Sequence, residues 1–218
     1  MRSVLVIGLG HFGSNLAETL EKQGNEVMAI DIDENAVNKV APYVTAAQIG
    51  DCTNELVIED LDVEGFDICF VCISKNLETA LVITTLLNEN NSKKVVAKVH
   101  TEIHAKLLLK NGAADVVYPD KDMAIRTAMK YSADKAFDYV ELNENYGIFE
   151  VETPENWIGY TLSDIGVRKN YKVNIIAYKN GSDIVGLDRE AYIFKPDDHL
   201  IIAGNRLNFN KLIAKNLK

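Results

Sequence analysis

Val4-Leu5-Val6-Ile7-Gly8-Leu9-Gly10-His11-Phe12-Gly13 decides how this chain is read. Four successive apolar residues, Val4 to Ile7, read as a strand buried on both faces, the habit of a parallel sheet. A Gly-x-Gly-x-x-Gly turn follows at Gly8, Gly10 and Gly13, and Ser14 to Gln23 reads as a helix. Each glycine meets a separate demand. Gly8 permits the tight turn out of the strand, Gly10 lets a pyrophosphate approach the backbone, and Gly13 lets the helix pack closely on the strand. The helix N-terminus adds unpaired N–H groups and the positive end of its dipole, which favour a phosphate. A second strand, Glu26 to Ile30, ends in Asp31, 23 residues after Gly8. A ribose-binding acid belongs at that distance. The competing reading of Asp31 is a cap for the helix that follows.

Outward from this unit, strand-like and helix-like segments alternate as far as Tyr118. Strands are expected at Val44 to Ile49, Ile68 to Ile73, Val95 to Val99 and Val116 to Tyr118. Helices are expected at Asp33 to Val40, Asn54 to Leu61 with Thr53 as cap, Leu77 to Leu87, and Glu102 to Lys110. Asn111-Gly112 stops the last of these. Six strands alternating with helices predict an α/β fold, a Rossmann-like doubly wound parallel sheet. Its ligand rim lies at the strand C-terminal ends. After a helix at Asp122 to Ala136 the pattern changes to strands at Phe137 to Leu142, Ile148 to Val151, Val173 to Tyr178, Ile184 to Leu187 and His199 to Ala203. A helical turn at Leu162 to Ile165, an Asn180-Gly181 turn and a terminal helix at Leu207 to Asn216 complete a small α+β unit. The domains are therefore expected at 1–136, connecting helix included, and 137–218.

Composition bounds the function. The net charge of −9 argues against nucleic acid, which needs a basic surface. No run approaches the ~20 apolar residues of a membrane helix. The N-terminus enters a strand almost at once, which leaves no room for a signal peptide, so a cytoplasmic protein is expected. Of Cys52, Cys69 and Cys72, the last two form a Cys-x-x-Cys inside a strand-like segment. Residues three apart on a strand point to opposite faces, so the pair reads as reduced core rather than as a redox or zinc site.

The expected rim carries further candidates. Asp51 follows the third strand, near the adenine end of a bound nucleotide, or caps the next helix. Ser74 and Lys75 follow the fourth strand, and Lys98 lies near the end of the fifth, where a charge is unusual. His100 and His104 are four apart, but His100 precedes the helix, so a zinc site is not expected.

The order of these parts resembles the regulatory subunits of Ktr/Trk-type potassium uptake systems, which carry the RCK fold (regulator of potassium conductance, also called KTN). The resemblance rests on Val6 to Gly13, Val27 to Asp31, Gly50-Asp51-Cys52-Thr53, and Lys110 to Asp115 followed by Tyr118-Pro119. It spans an RCK-N and an RCK-C domain. It implies an adenine nucleotide, ATP or ADP or NAD or NADH, held by Gly8, Gly10, His11, Phe12, Gly13, Asp31, Asp51, Cys52, Ser74, Lys98 and Asp120. ATP-responsive members commonly carry arginine at the place of His11, which meets the terminal phosphate. They often carry glutamate at the place of Asp120, beside a divalent cation, which makes Asp120 the candidate metal ligand.

Residues 162–176 resemble the segment with which several Gram-positive relatives bind cyclic di-AMP at a dimer interface. Leu162, Ser163, Gly166, Arg168, Lys169, Asn174 and Ile175 are the implied contacts. Leu162-Ser163 and Gly166 depart from the usual residues there. The resemblance further implies a homodimer built into an octameric ring. That ring docks on a membrane potassium-transporting subunit and gates it by ligand-dependent rearrangement, without enzymatic activity. The rival readings are an NAD(P)-dependent oxidoreductase and a free-standing nucleotide sensor. The first needs a proton donor beside a nicotinamide, and residues 137–218 offer none that can be named.

Overall fold

The computed structural model describes residues 1–73, 76–132, 136–143, 145–187 and 192–216. The chain divides into two compact units, Met1–Asp122 and Met123–Lys218. The first holds β1 (Ser3–Ile7), α1 (His11–Lys22), β2 (Glu26–Asp31), α2 (Glu34–Val40), β3 (Ala46–Ile49), α3 (Glu55–Asp60), β4 (Ile68–Val71), α4 (Leu77–Glu89), β5 (Val95–Lys98), α5 (Glu102–Lys110) and β6 (Asp115–Val117). The six strands run in the order β3-β2-β1-β4-β5-β6, and every pairing is parallel.

The apolar runs fill both faces of this sheet. Leu5, Ile7, Cys69, Val71 and Ala97 point to one face and pack with α4 and α5 residues such as Ile83 and Leu108. Val4, Val6, Val27 and Ala29 point to the other, with Ala17 of α1 and Val37 of α2. The Cys-x-x-Cys splits as the strand geometry requires, Cys69 to the first face and Cys72 to the second. Cys52, Cys69 and Cys72 are all free and buried, and burial pushes each thiol up to about 12.

Local chemistry sets the element ends. Asn76 caps α4 by accepting from the Glu78 and Thr79 amides, and Thr101 caps α5 by accepting from His104 N–H. Asn54, not Thr53, caps α3, accepting from Leu56 N–H at 3.1 Å. Thr53 is engaged elsewhere, its hydroxyl donating to Asp51 at 2.7 Å. The helix expected at Asp122 to Ala136 is α6 (Pro119–Ser132). It starts on Pro119, a residue suited to a helix's first position. The dividing point after Asp122 thus falls in its first turn, ahead of the expected 136/137 boundary. Among the described residues no helix is long and apolar enough to cross a membrane.

The second unit contains β7 (Ala136–Glu141), β8 (Tyr146–Glu152), α7 (Leu162–Ile165), α8 (Val167–Tyr171), β9 (Val173–Asn180), β10 (Asp183–Gly186), β11 (His199–Asn205) and α9 (Arg206–Asn216). Its five strands form an antiparallel sheet in the order β10-β9-β11-β8-β7. Alternation sends Leu200 and Ile202 into the core, where they meet Trp157, Phe194 and Leu212. Phe149 of β8 stacks on Phe209 of α9 with centroids 3.7 Å apart. Helix α8 was not expected from the sequence. Two left-handed residues bracket its five residues, Gly166 at φ +60° and Lys172 at φ +56°.

A buried carboxylate ties the end of this sheet. Asp198 is fully buried. It accepts from Asn180 Nδ2 at 2.8 Å and from the Tyr192 hydroxyl at 2.9 Å. Its carbonyl accepts from the Thr153 hydroxyl at 2.7 Å. Burial, then the bond to Asp198, pushes the Tyr192 phenol above the range in which it ionises in water. Asp198→Ala strands two donors and should destabilise the protein by about 2–4 kcal/mol. Asp198→Asn keeps one acceptor and should lose less. Urea unfolding of both variants checks this, and equal, negligible losses would contradict the role.

Candidate nucleotide site

The glycine turn is shaped by three distinct constraints. Gly8 has φ +93°, and a Cβ there would stand 2.9 Å from Ile73 Cγ1. At Gly13 a Cβ would collide with the carbonyl oxygen of Gly8. Gly10 differs from both, since its φ of −65° and ψ of −176° suit any residue. A Cβ on Gly10 would meet nothing within 4 Å, so its demand is for room and not for conformation. Helix α1 begins one residue later, three residues before the sequence suggests, because the turn runs straight into it. Ser14 N–H donates the first helical bond to Gly10 O at 2.9 Å. The amides of His11, Phe12 and Gly13 therefore have no helical acceptor. No side chain caps α1 and no acidic residue sits in its first turn. That cradle fits a phosphate group.

Asp31, at the end of β2, fastens the turn from the other side. Its Oδ2 accepts from Leu9 N–H at 2.5 Å, and its Oδ1 accepts from Asp33 N–H at 2.9 Å. Asp33, not Asp31, caps α2, accepting from Asn35 N–H at 2.9 Å. Each Asp31 oxygen keeps a lone pair for a ribose hydroxyl. Asp51 does not cap α3 either. It accepts from the Thr53 hydroxyl and then from Thr53 N–H, which hold its carboxyl below the usual range.

These residues border one cavity of about 830 Å³ at the carboxyl ends of the strands. It lies where the strand order reverses between β1 and β4, the place where doubly wound sheets bind ligands. Gly8, Gly10, His11, Phe12, Asp31, Asp51, Cys52, Lys98 and Asp120 all line it. Gly13 does not, in keeping with its packing role. Ser74 and Lys75 lie outside the described residues. Asp120 Oδ2 pairs with His100 Nδ1 at 3.0 Å. Among the described residues no group of three or more His, Cys, Asp or Glu is placed to hold a metal. Ile32, Thr79 and Ile83 also line the cavity and were not foreseen. Ile32 had a signal, since it directly follows Asp31 at the rim. Thr79 and Ile83 face the cavity from α4 and carried none.

The second unit has a cleft of about 270 Å³. Leu162, Ser163, Gly166, Arg168, Lys169, Asn174 and Ile175 line it, together with Val167 and Val173. Arg168 and Lys169 are exposed on α8, Asn174 is exposed on β9, and Ile175 is buried. The cleft therefore offers two cations and an amide over an apolar floor.

A nucleotide-binding type of parallel sheet followed by a small antiparallel unit defines the class. The chain matches the TrkA-N domain family over residues 4–119 and the TrkA-C domain family over residues 147–215. It is 36% identical over 200 residues to Ktr system potassium uptake protein C of Bacillus subtilis (strain 168), covering 92% of this chain and 90% of that protein. It is 32% identical over 206 residues to Ktr system potassium uptake protein A of the same organism, covering 94% and 93%. The chain belongs to the TrkA-N/TrkA-C family that includes these Ktr proteins. Its fold resembles that of a GsuK channel bound to NAD, with a TM-score of 0.67 at 18% identity. That likeness covers 98% of this chain and 39% of the GsuK chain.

Gly10→Val is expected to fold, because its backbone suits valine, and to lower ADP affinity by about a hundredfold or more by filling the phosphate space. Asp31→Ala should weaken binding by about tenfold and cost about 1–3 kcal/mol as the Leu9 and Asp33 amides lose their acceptor. Calorimetry and thermal unfolding read both, and full ADP affinity in Gly10→Val would remove the phosphate role from the turn.

Proposed function

We propose that this chain is the cytoplasmic, non-enzymatic regulatory subunit of a potassium uptake system, with an adenine nucleotide as its ligand. The observation that carries the reading is the open space at Gly10 beside the unengaged amides of α1. The Gly10, His11 and Phe12 backbone would hold the phosphates and Asp31 the ribose. Asp51 and Cys52 would border the adenine end, and Lys98 would stand at the phosphate end. Asp120, beside His100, would take a divalent cation. The shared adenosine diphosphate of ATP, ADP, NAD and NADH is what such a site recognises.

Homodimers built into an octameric ring would press on a membrane potassium-transporting subunit of Ktr/Trk type. The names of the curated relatives support that partner. The net charge of −9 supports a role without nucleic acid. Gating follows if the ligand binds one ring geometry more tightly than the other, since equal affinity shifts nothing. The C-terminal cleft would take cyclic di-AMP across a dimer two-fold axis, with Arg168 presented twice to its two phosphates.

A melting-temperature series with ATP, ADP, NAD, NADH and cyclic di-AMP tests both sites. A ligand at a hundred times its dissociation constant should add about 2.7 kcal/mol of stability. Arg168→Ala should weaken cyclic di-AMP by about ten- to a hundredfold and leave adenine nucleotides unchanged. Stabilisation by none of the adenine nucleotides would overturn the main reading. A wild-type chain indifferent to cyclic di-AMP would leave the second unit without that ligand.

A further inference from the structure

The Lys98 ammonium lies 5.6 Å from the centroid of the Phe12 ring. The two residues come from opposite halves of the sheet. Phe12 is in α1, directly after β1, whereas Lys98 ends β5, beyond β4. Their contact therefore spans the crevice between β1 and β4. Cys72, the residue after β4, belongs to the core layer against which Phe12 packs. Burial pushes the Cys72 thiol up to about 12, and the Lys98 charge draws it back down. Both Phe12 and Lys98 line the main cavity along with Gly10 and His11. Lys98 is half-buried, and among the described residues no carboxylate is paired with it.

A half-buried ammonium with no anionic partner is costly unless something compensates it. The ring face supplies that compensation through its quadrupole. It touches the cation from one side only and leaves the other side open to an anion. The ring is itself fixed, packed against the core of Val4, Val6 and Leu9. A lysine has four rotatable bonds and loses much rotamer freedom on being fixed. Here the ring imposes that ordering ahead of any ligand, which is how preorganisation raises affinity.

We propose that Phe12 is a positioning residue, whose ring holds the Lys98 ammonium over the crevice so that affinity depends on the phosphate charge beyond the first phosphate. The proposal rests on the adenine-nucleotide reading of the cavity. A nucleotide with its ribose on Asp31 and its first phosphate on the Gly10 turn extends its further phosphates away from β2, toward β5. On that reading the single phosphate of AMP would rest on the turn alone, and the second phosphate of ADP would extend toward Lys98.

Calorimetry on the full chain with AMP and ADP tests this. Lys98→Met should weaken ADP by about tenfold or more and AMP by less than about twofold. Phe12→Leu should weaken ADP by about three- to tenfold, weaken AMP by clearly less than it weakens ADP, and be rescued by Phe12→Tyr. The double variant should bind ADP no more weakly than Lys98→Met alone, because the ring acts only through the lysine. Phe12→Met, nearer in volume, replaces the leucine variant if that one does not fold. Equal loss of AMP and ADP, no loss at all, independent losses in the double variant, or misfolding of both Phe12 variants would overturn the proposal. Binding of neither nucleotide by the wild-type chain would overturn the nucleotide reading and this proposal together.

Discussion

The close approach of α1 to the β1 turn is the constraint on which the ligand rim depends. The carbonyl oxygen of Gly8 stands where any side chain at residue 13 would have to begin. With glycine there, the first turn of α1 is drawn onto the sheet, and its free amides point along the carboxyl rim. Asp31 then locks the turn from the β2 side through Leu9 N–H, while Gly8 N–H donates to Ile30 O at 2.9 Å. The turn is thus held to its neighbouring strand by one side-chain bond and one backbone bond. An ordered cradle of this kind has little freedom left to lose when a ligand arrives.

Electrostatics at the rim follow from the same backbone. A chain of net charge −9 opposes an anionic ligand at long range. Locally the opposition is reduced. Asp31 and Asp51 spend charge on backbone N–H groups, and Asp120 is paired with His100. Among the described residues, the positive end of α1 and the Lys98 ammonium remain without a carboxylate partner. The field that a phosphate would meet there is therefore set by a few groups within a Debye length, about 8–10 Å, and not by the total charge.

Much of the parallel sheet was legible because its signals are local. Continuous apolar runs gave the strands, and the Asn111-Gly112 stop gave α5 its observed C-terminal end. Misplaced ends have side-chain causes that a residue-type rule does not hold. Thr53 suits a cap as well as Asn54 does, but its hydroxyl is taken by Asp51. The expected strand Ile68 to Ile73 ends at Val71 as β4, although Cys72 N–H still donates to Ile7 O. In the second unit, α8 is too short to show a helical period, and its C-terminal stop is a lysine in the left-handed region, where glycine is the usual signal. Asp31 was legible as a rim carboxylate from spacing alone. Its bond to Leu9 was not, because a hydrogen bond across the turn leaves no mark on residue order. Lys98 was legible as an unusual charge at a strand end. Its contact with Phe12 was not, since the two are brought together only by the crossing of β4 between β1 and β5.

The two units have separate hydrophobic cores, one in two layers about the parallel sheet and one on a single face of the antiparallel sheet. Each core alone can order the residues around its own cavity. Occupancy of one cavity then affects the other only if both ligands discriminate between the same two arrangements of the chain or its assembly. Linkage makes that influence reciprocal: whatever factor a ligand of the first cavity applies to the second must be returned. A rigid cradle such as the Gly8–Gly13 turn favours this kind of coupling. It yields little on binding, so differential affinity must come from the groups around it rather than from the turn itself.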